Sequence, residues 1–161
     1  MSDLNTIYKT RTASIEEIFL HLTACKDDFN PPLDQTVNLS EYAKKIAEKA
    51  ITFEAWVDNR LAGLVAAYFN DVENHSGYIT HVDVLGNYSG KGIAVDLMNR
   101  CIEFAIQNGF YQITLEVAED NDKAIQLYKK LDFVIFGKKE KKTRMILNLV
   151  NLKNKLNEPS T

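Results

Sequence analysis

Apolar positions recur along this chain with two periods, and the changes between them mark the elements. From Ser14 the spacing Ile15, Ile18, Phe19, Leu22 gives one apolar stripe on a helix, and Ser14 with Glu17 forms a capping box at its start. That helix is expected to end near Cys25, because Pro31 and Pro32 in KDDFNPPLDQTVN cannot continue it. Asn38 with Glu41 caps a second helix through Tyr42, Ile46 and Ala50. Strands at Thr52 to Val57 and Leu61 to Phe69 flank the turn Asp58-Asn59-Arg60, a hairpin pattern, and Ile7 to Lys9 reads as a short edge strand. After a polar loop from Asn70 to Ser76, Gly77 to Leu85 alternates. Tyr78, Thr80, Val82 and Val84 lie on one face, and Ile79, His81 and Asp83 on the other. A glycine loop and a helix to about Asn108 follow, with Gly109 as the residue beyond its end. Gln112 to Val117 is a strand, and Asn121 or Asp120 caps a helix reaching Leu131. Val134 to Phe136 and Arg144 to Leu149 are the last strands, joined by a charged loop GKKEKKT.

The order β-α-α-β-β-β-α-β-α-β-β predicts an α+β fold: a single mixed, mostly antiparallel sheet of about six to seven strands flanked by about four helices. Without repeats or linkers, residues 1–150 read as one domain and 151–161 as a polar tail. Hydrophobic content of 45% and charged content of 25% over 161 residues are those of a soluble globular chain. A net charge of −3 offers no footprint for nucleic acid. No apolar run reaches the ~20 residues that span a bilayer, and MSDLNTIYKT holds no signal-peptide core, so a cytoplasmic protein is expected. Cys25 and Cys101 then read as free thiols, Cys101 on the apolar stripe of its helix. His21 and His75 show no acidic or cysteine partner at ligand spacing, and no metal site is expected.

The most chemical stretch is VDVLGNYSGKGIAVDLMNRCIEFA, Val82 to Ala105. Gly90 and Gly92 fall where loop becomes helix, so free backbone N–H groups and the positive end of the helix dipole face one spot, which favours an anion such as a phosphate. Lys91 between the glycines excludes a Walker-type loop, and no third glycine completes a dinucleotide fingerprint. Lys91 either reaches a phosphate or is an exposed loop lysine.

Ser89-Gly90-Lys91-Gly92-Ile93-Ala94 resembles the [Q/R]-x-x-G-x-[G/A] signature of the GNAT superfamily of acyl-CoA-dependent N-acyltransferases, with Ser89 in place of the leading residue and Gly86 where proline is common. LEVAEDNDKAIQLYKKLDF, Leu115 to Phe133, resembles the family's second block: Asn121, Ala124, Leu127, Tyr128 and Phe133 match, and Asp132 stands where glycine is usual. The resemblance implies acetyl-CoA as cosubstrate, with no metal. It implies that the backbone of Ser89 to Ala94 holds the pyrophosphate, that Asn121 and Tyr128 contact the cofactor, and that Val82, Val84 and Leu85 offer main-chain contacts to the pantetheine arm and acetyl group. In the family the two strands ending here at Leu85 and Val117 splay apart around that arm.

Acetyl transfer to an amine needs the thioester held close, a proton removed from the amine, and the departing thiolate protonated. By the resemblance Tyr128 is the acid, since a phenol with pKa of about 10 can donate to a CoA thiolate. Glu116, twelve residues earlier, resembles the base of ribosomal-protein N-terminal acetyltransferases; the other reading is a solvated strand glutamate. His81 competes for that role with the right intrinsic pKa, beside Asp83. The family's acceptor site maps to Phe29, Pro31, Tyr42, Tyr68 and Asp83. The acidic, aromatic loop DDFNPPLD is consistent with a small cationic amine or amino sugar. The expected reaction is direct acetyl transfer to a small-molecule primary amine, with a protein N-terminal amine or a non-catalytic acyl-CoA sensor as alternatives, in a monomer or homodimer. Lys141, Lys142 and Arg144 charge the last strand against dimer pairing.

Overall fold

The computed structural model describes residues 5–156. The elements are β1 (Thr6–Thr10), α1 (Ile15–Cys25), α2 (Leu39–Lys49), β2 (Ile51–Val57), β3 (Arg60–Asp71), β4 (Ser76–Val84), α3 (Ile93–Gln107), β5 (Gln112–Ala118), α4 (Asp122–Lys130), β6 (Val134–Lys139), β7 (Lys142–Asn148) and α5 (Leu149–Leu156). The strands form one mixed sheet in the order β1-β2-β3-β4-β5-β7-β6. The described residues divide into two compact units, 5–67 with 81–101, and 68–80 with 102–156.

In the first unit β1, β2 and β3 pair antiparallel, with β1 at the sheet edge as expected. Val57 pairs with Arg60, so the hairpin turn is only Asp58-Asn59, both at positive φ, the backbone that matches the strands' twist. Pairing slips from Ala55↔Gly63 to Trp56↔Leu61, leaving Ala62 as a bulge. The Ala62 carbonyl accepts the Leu85 N–H at 2.8 Å, which fixes the chain just beyond β4. Both expected caps form. Ser14 and Glu17 make the reciprocal box on α1, and Asn38 accepts the Glu41 N–H on α2. Ile18, Leu22, Ile46, Phe53, Leu64, Leu97 and Met98 are fully buried, each aliphatic side chain contributing about 1.5–3 kcal/mol. At Gly63 an added Cβ would lie 3.0 Å from Ile93 and 3.1 Å from Leu97, so the start of α3 packs directly on β3 backbone. Glu54 is buried but satisfied: Thr12 and Ala13 N–H groups, the Thr12 and Thr52 hydroxyls and the Trp56 indole all donate to it. Burial opposes its charge, yet those donors outweigh burial and hold the carboxyl below its usual range.

In the second unit β4 runs parallel to β5 from Ser76↔Gln112 to Ile79↔Leu115, and β5 pairs antiparallel with β7 and β7 with β6. Three differences from the sequence reading stand out here. GKKEKKT is not a loop: β6 runs to Lys139 and β7 starts at Lys142, with Glu140 at φ 58° in the turn. Thr143, Met145 and Leu147 face inward while Lys142, Arg144 and Asn148 face out, so the charges are one face of a strand. β7 also lies inside the sheet, and the edge is β6 with exposed Val134, Ile135 and Phe136. The expectation that Lys141, Lys142 and Arg144 guard a terminal strand is therefore corrected. The polar tail also begins inside a helix that the sequence reading did not assign: the Asn148 side chain accepts the Asn151 N–H and opens α5, with Leu149 buried. Tail residues 157–161 lie outside the described residues.

Candidate active site

The glycine loop grows out of β4 by three local constraints. Leu85 is held to Ala62, Gly86–Tyr88 form a single 3-10 turn, and Ser89 closes it by donating its hydroxyl to the Gly86 carbonyl at 2.9 Å. Gly90 and Gly92 then adopt φ of 76° and 82°, and an added Cβ at either meets nothing within 4 Å. The backbone is thus open on the side a ligand would approach. The Asp96 N–H donates to the Gly92 carbonyl at 3.1 Å. Ile93, Ala94 and Val95 occupy the first three helical positions, whose N–H groups have no acceptor inside the helix. With the dipole of a fifteen-residue helix behind them, these amides make a cradle for an anion. Lys91 beside them is exposed, Val82 and Val84 are half-buried on β4, and Leu85 is buried.

The second unit holds the other matched block. Asn121 caps α4 by accepting the Ala124 N–H at 3.1 Å. Tyr128 is buried at 6% exposure, and its carbonyl accepts N–H groups from Leu131 and Phe133. Asp132, at φ 73°, sits where the helix end needs left-handed backbone, and Phe133 folds back so that its ring lies 5.9 Å from that of Tyr128. The helix stop thereby fixes the tyrosine. Glu116 on β5 stands in register with Arg144 of β7, and Thr114 with Tyr78 of β4. Burial and the Glu116 charge both push the Tyr78 phenol up, with Arg144 opposing. Tyr78 was passed over in the sequence, where it was only one of four alternating residues. Its signal is the parallel register that sets it beside the Glu116 strand.

Of the acceptor candidates, the first unit brings together Phe29, Tyr42 and Asp83, all around β4. The Phe29 and Tyr42 rings lie 5.6 and 6.5 Å from His81, and Asp83 is the next inward position on the strand. Pro31, after a cis Asn30–Pro31 bond, is exposed. Tyr68 belongs to the second unit, where burial raises its phenol and Thr80 opposes that. His81 does not meet the expectation of a base: it is 3% exposed, its Nε2 is 3.2 Å from the His21 Nε2, and burial followed by the neighbouring His21 holds it well below its ordinary value. Burial likewise brings His21 down to about 4, only partly offset by its bond to Leu61. The reading that His21 lacks a cysteine partner is also corrected, because Cys25 lies one turn on along α1 and both are buried with His81. Cys101 is fully buried and its thiol is pushed up by burial, as its stripe position implies.

The sequence model of the Acetyltransferase (GNAT) family matches residues 15–133, taking in both glycine loop and Tyr128. This chain belongs to the GNAT family. The GNAT chain is 31% identical over 85 residues to an N-alpha-acetyltransferase MAK3 of Arabidopsis thaliana, a match over 52% of this chain and 45% of that protein. It thus spans about half the length of the curated relatives it matches. The fold is similar to the ribosomal-protein-S18-alanine N-acetyltransferase from Escherichia coli (TM-score 0.72, 17% identity, covering 89% of this chain and 94% of that one). It is also similar to the PaiA N-acetyltransferase from Thermoplasma acidophilum in complex with coenzyme A (TM-score 0.71, 13% identity, 88% and 99% covered). Among the described residues no helix is long and apolar enough to cross a membrane.

Proposed function

We propose that this GNAT chain is an acetyl-CoA-dependent N-acetyltransferase acting on a primary amine. The observation that carries the reading is the open cradle at Gly90–Val95, which offers unsatisfied amides to a pyrophosphate within a stretch that the family model matches. In this reading the loop amides bind the cofactor's pyrophosphate, and Val82, Val84 and Leu85 line its arm. A neutral amine attacks the thioester carbonyl directly. The C–N bond forms, the C–S bond breaks, Tyr128 gives its phenolic proton to the thiolate, and Glu116 takes the proton from the amine. His81, sealed against His21, has no part in these transfers. Val82, Lys91 and Asn121 are cofactor-side groups in the same reading, Asn121 through the helix it caps rather than through a free side chain.

For the acceptor, the acidic stretch at Asp27, Asp28 and Asp34 supports a small cationic amine, with Lys26 already pairing Asp27 at 3.5 Å and Asp34 at 3.8 Å, so that Asp28 is the carboxylate proposed to meet it. A peptide α-amine is the second reading, favoured by the relative named an N-alpha-acetyltransferase and by Glu116. Both acceptor classes go into one assay: thiol release from acetyl-CoA against small amines, amino sugars and peptides with free N-termini. Turnover on peptides alone assigns the second reading, and turnover on small amines alone the first. Binding of acetyl-CoA without thiol release from any of them would replace the enzyme by a sensor.

A further inference from the structure

We infer that His21, Cys25 and His81, with Asp83, form a buried structural site for a divalent transition metal of borderline softness, zinc by preference. The inference stands independently of acetyl transfer. His21 and Cys25 are separated by one helical turn and share the inward face of α1, while His81 and Asp83 share the inward face of β4. The three nitrogen and sulfur donors lie within 4.8 Å of one another, and all three residues are buried.

Two details of the geometry favour a cation over a chain of hydrogen bonds. The Leu61 carbonyl, 3.0 Å from the His21 Nδ1, can only accept, so that nitrogen carries the hydrogen and the Nε2 lone pair faces His81. A carbonyl-anchored Nδ1–H is the usual support of a metal-ligating imidazole. The two Nε2 atoms are 3.2 Å apart, and nitrogens each bound at about 2.0–2.1 Å to a tetrahedral zinc stand about 3.3–3.4 Å apart. The imidazoles therefore already span one edge of the tetrahedron. Cys25 supplies a second type of donor, its thiol now donating to the Leu22 carbonyl at 3.7 Å and pushed up first by burial and then by the Asp83 charge. Asp83, the next inward position after His81 on β4, is the candidate fourth ligand. On binding, the thiol proton leaves to solvent and a metal–sulfur bond replaces the S–H bond. The three clustered donors are all buried, and with Asp83 as the fourth ligand no position stays open, which makes the site structural rather than catalytic. Its effect is to tie α1 to β4 and hold the Phe29 and Tyr42 rings that pack on His81.

The test uses the full chain, stripped with a chelator and titrated with Co²⁺ and then Zn²⁺. The expected result is one equivalent bound, with the intense d–d absorption of tetrahedral cobalt and a thiolate-to-cobalt charge-transfer band, both erased by Zn²⁺. The melting temperature rises with Zn²⁺ in the same preparation. Cys25→Ser removes the charge-transfer band and weakens affinity by more than ~100-fold, beyond what loss of an outer-sphere partner causes. Absence of a charge-transfer band in the wild-type chain would overturn the inference whether or not any variant folds, since it would leave a plain imidazole pair. Binding that persists unchanged in Cys25→Ser and His81→Gln would overturn it as well, placing the metal elsewhere.

Discussion

Asp132 holds a φ of 73°, a conformation that costs a residue with a Cβ about 1–2 kcal/mol and glycine far less. After glycine's greater unfolded-chain entropy is deducted, Asp132→Gly is expected to stabilise the chain by about 0.5 kcal/mol, read as a higher urea midpoint. The same stop orients Tyr128, and Tyr128→Phe should lower kcat by about 10²–10⁴ while leaving the melting temperature nearly unchanged. A matched pair of kcat and melting curves checks it. The imidazoles set the acid limit. His21 is held at about 4, so between that value and its unfolded value near 6.5 the unfolded chain binds the extra proton. Stability therefore rises with pH in that window and falls by about 1.4 kcal/mol per unit as pH drops through it, for each buried histidine that stays neutral. Urea midpoints in chelator should show that slope, and a flat profile from about pH 4 to 6.5 would contradict the buried neutral pair. These residue-level traits were partly legible. Asp132 was visible as a departure from glycine, but that it caps the Tyr128 helix needed its backbone angle.

At the scale of elements, the β4–loop–α3 segment carries the proposed cofactor cradle, and its sequence spoke plainly because glycine there has one physical use. Gly92→Ala places a Cβ on the open side of the cradle at a φ of 82°. The expected result is an acetyl-CoA KM raised at least tenfold, about 1.4 kcal/mol of binding, with kcat changed less. Gly63 is the hidden counterpart. Its Cβ would press Ile93 and Leu97, and Gly63→Ala should cost about 1–3 kcal/mol by lifting the start of α3 from β3, as thermal unfolding would register. Nothing in the sequence marks Gly63, since close packing between elements distant in the chain has no local pattern. The last hairpin failed for a different reason. Six charges in KKEKK and Arg144 outweighed the alternation of Thr143, Met145 and Leu147, although a half-exposed strand carries its charges on one face. In α5 the cue was present, Asn148 before Leu149, but the polar residues that follow hid it.

For the whole molecule, the order of elements was readable because each strand and helix announces its own period, and the two family blocks fixed which loop precedes which helix. Strand order was less so: that β7 inserts between β5 and β6 depends on pairing, not on local sequence. The histidine cluster was least legible, because His21 and His81 are sixty residues apart and meet only through tertiary packing. The central proposal is amine acetylation from acetyl-CoA, with the cradle as the cofactor's anchor and Tyr128 as the acid. The most direct measurement follows free thiol when the purified chain meets acetyl-CoA and a panel of small amines and N-terminal peptides, alongside Tyr128→Phe and Gly92→Ala. The account predicts amine-dependent thiol release that Tyr128→Phe abolishes through kcat and Gly92→Ala weakens through KM. Release that is indifferent to both substitutions, or no acetyl-CoA binding by the wild-type chain, would contradict it.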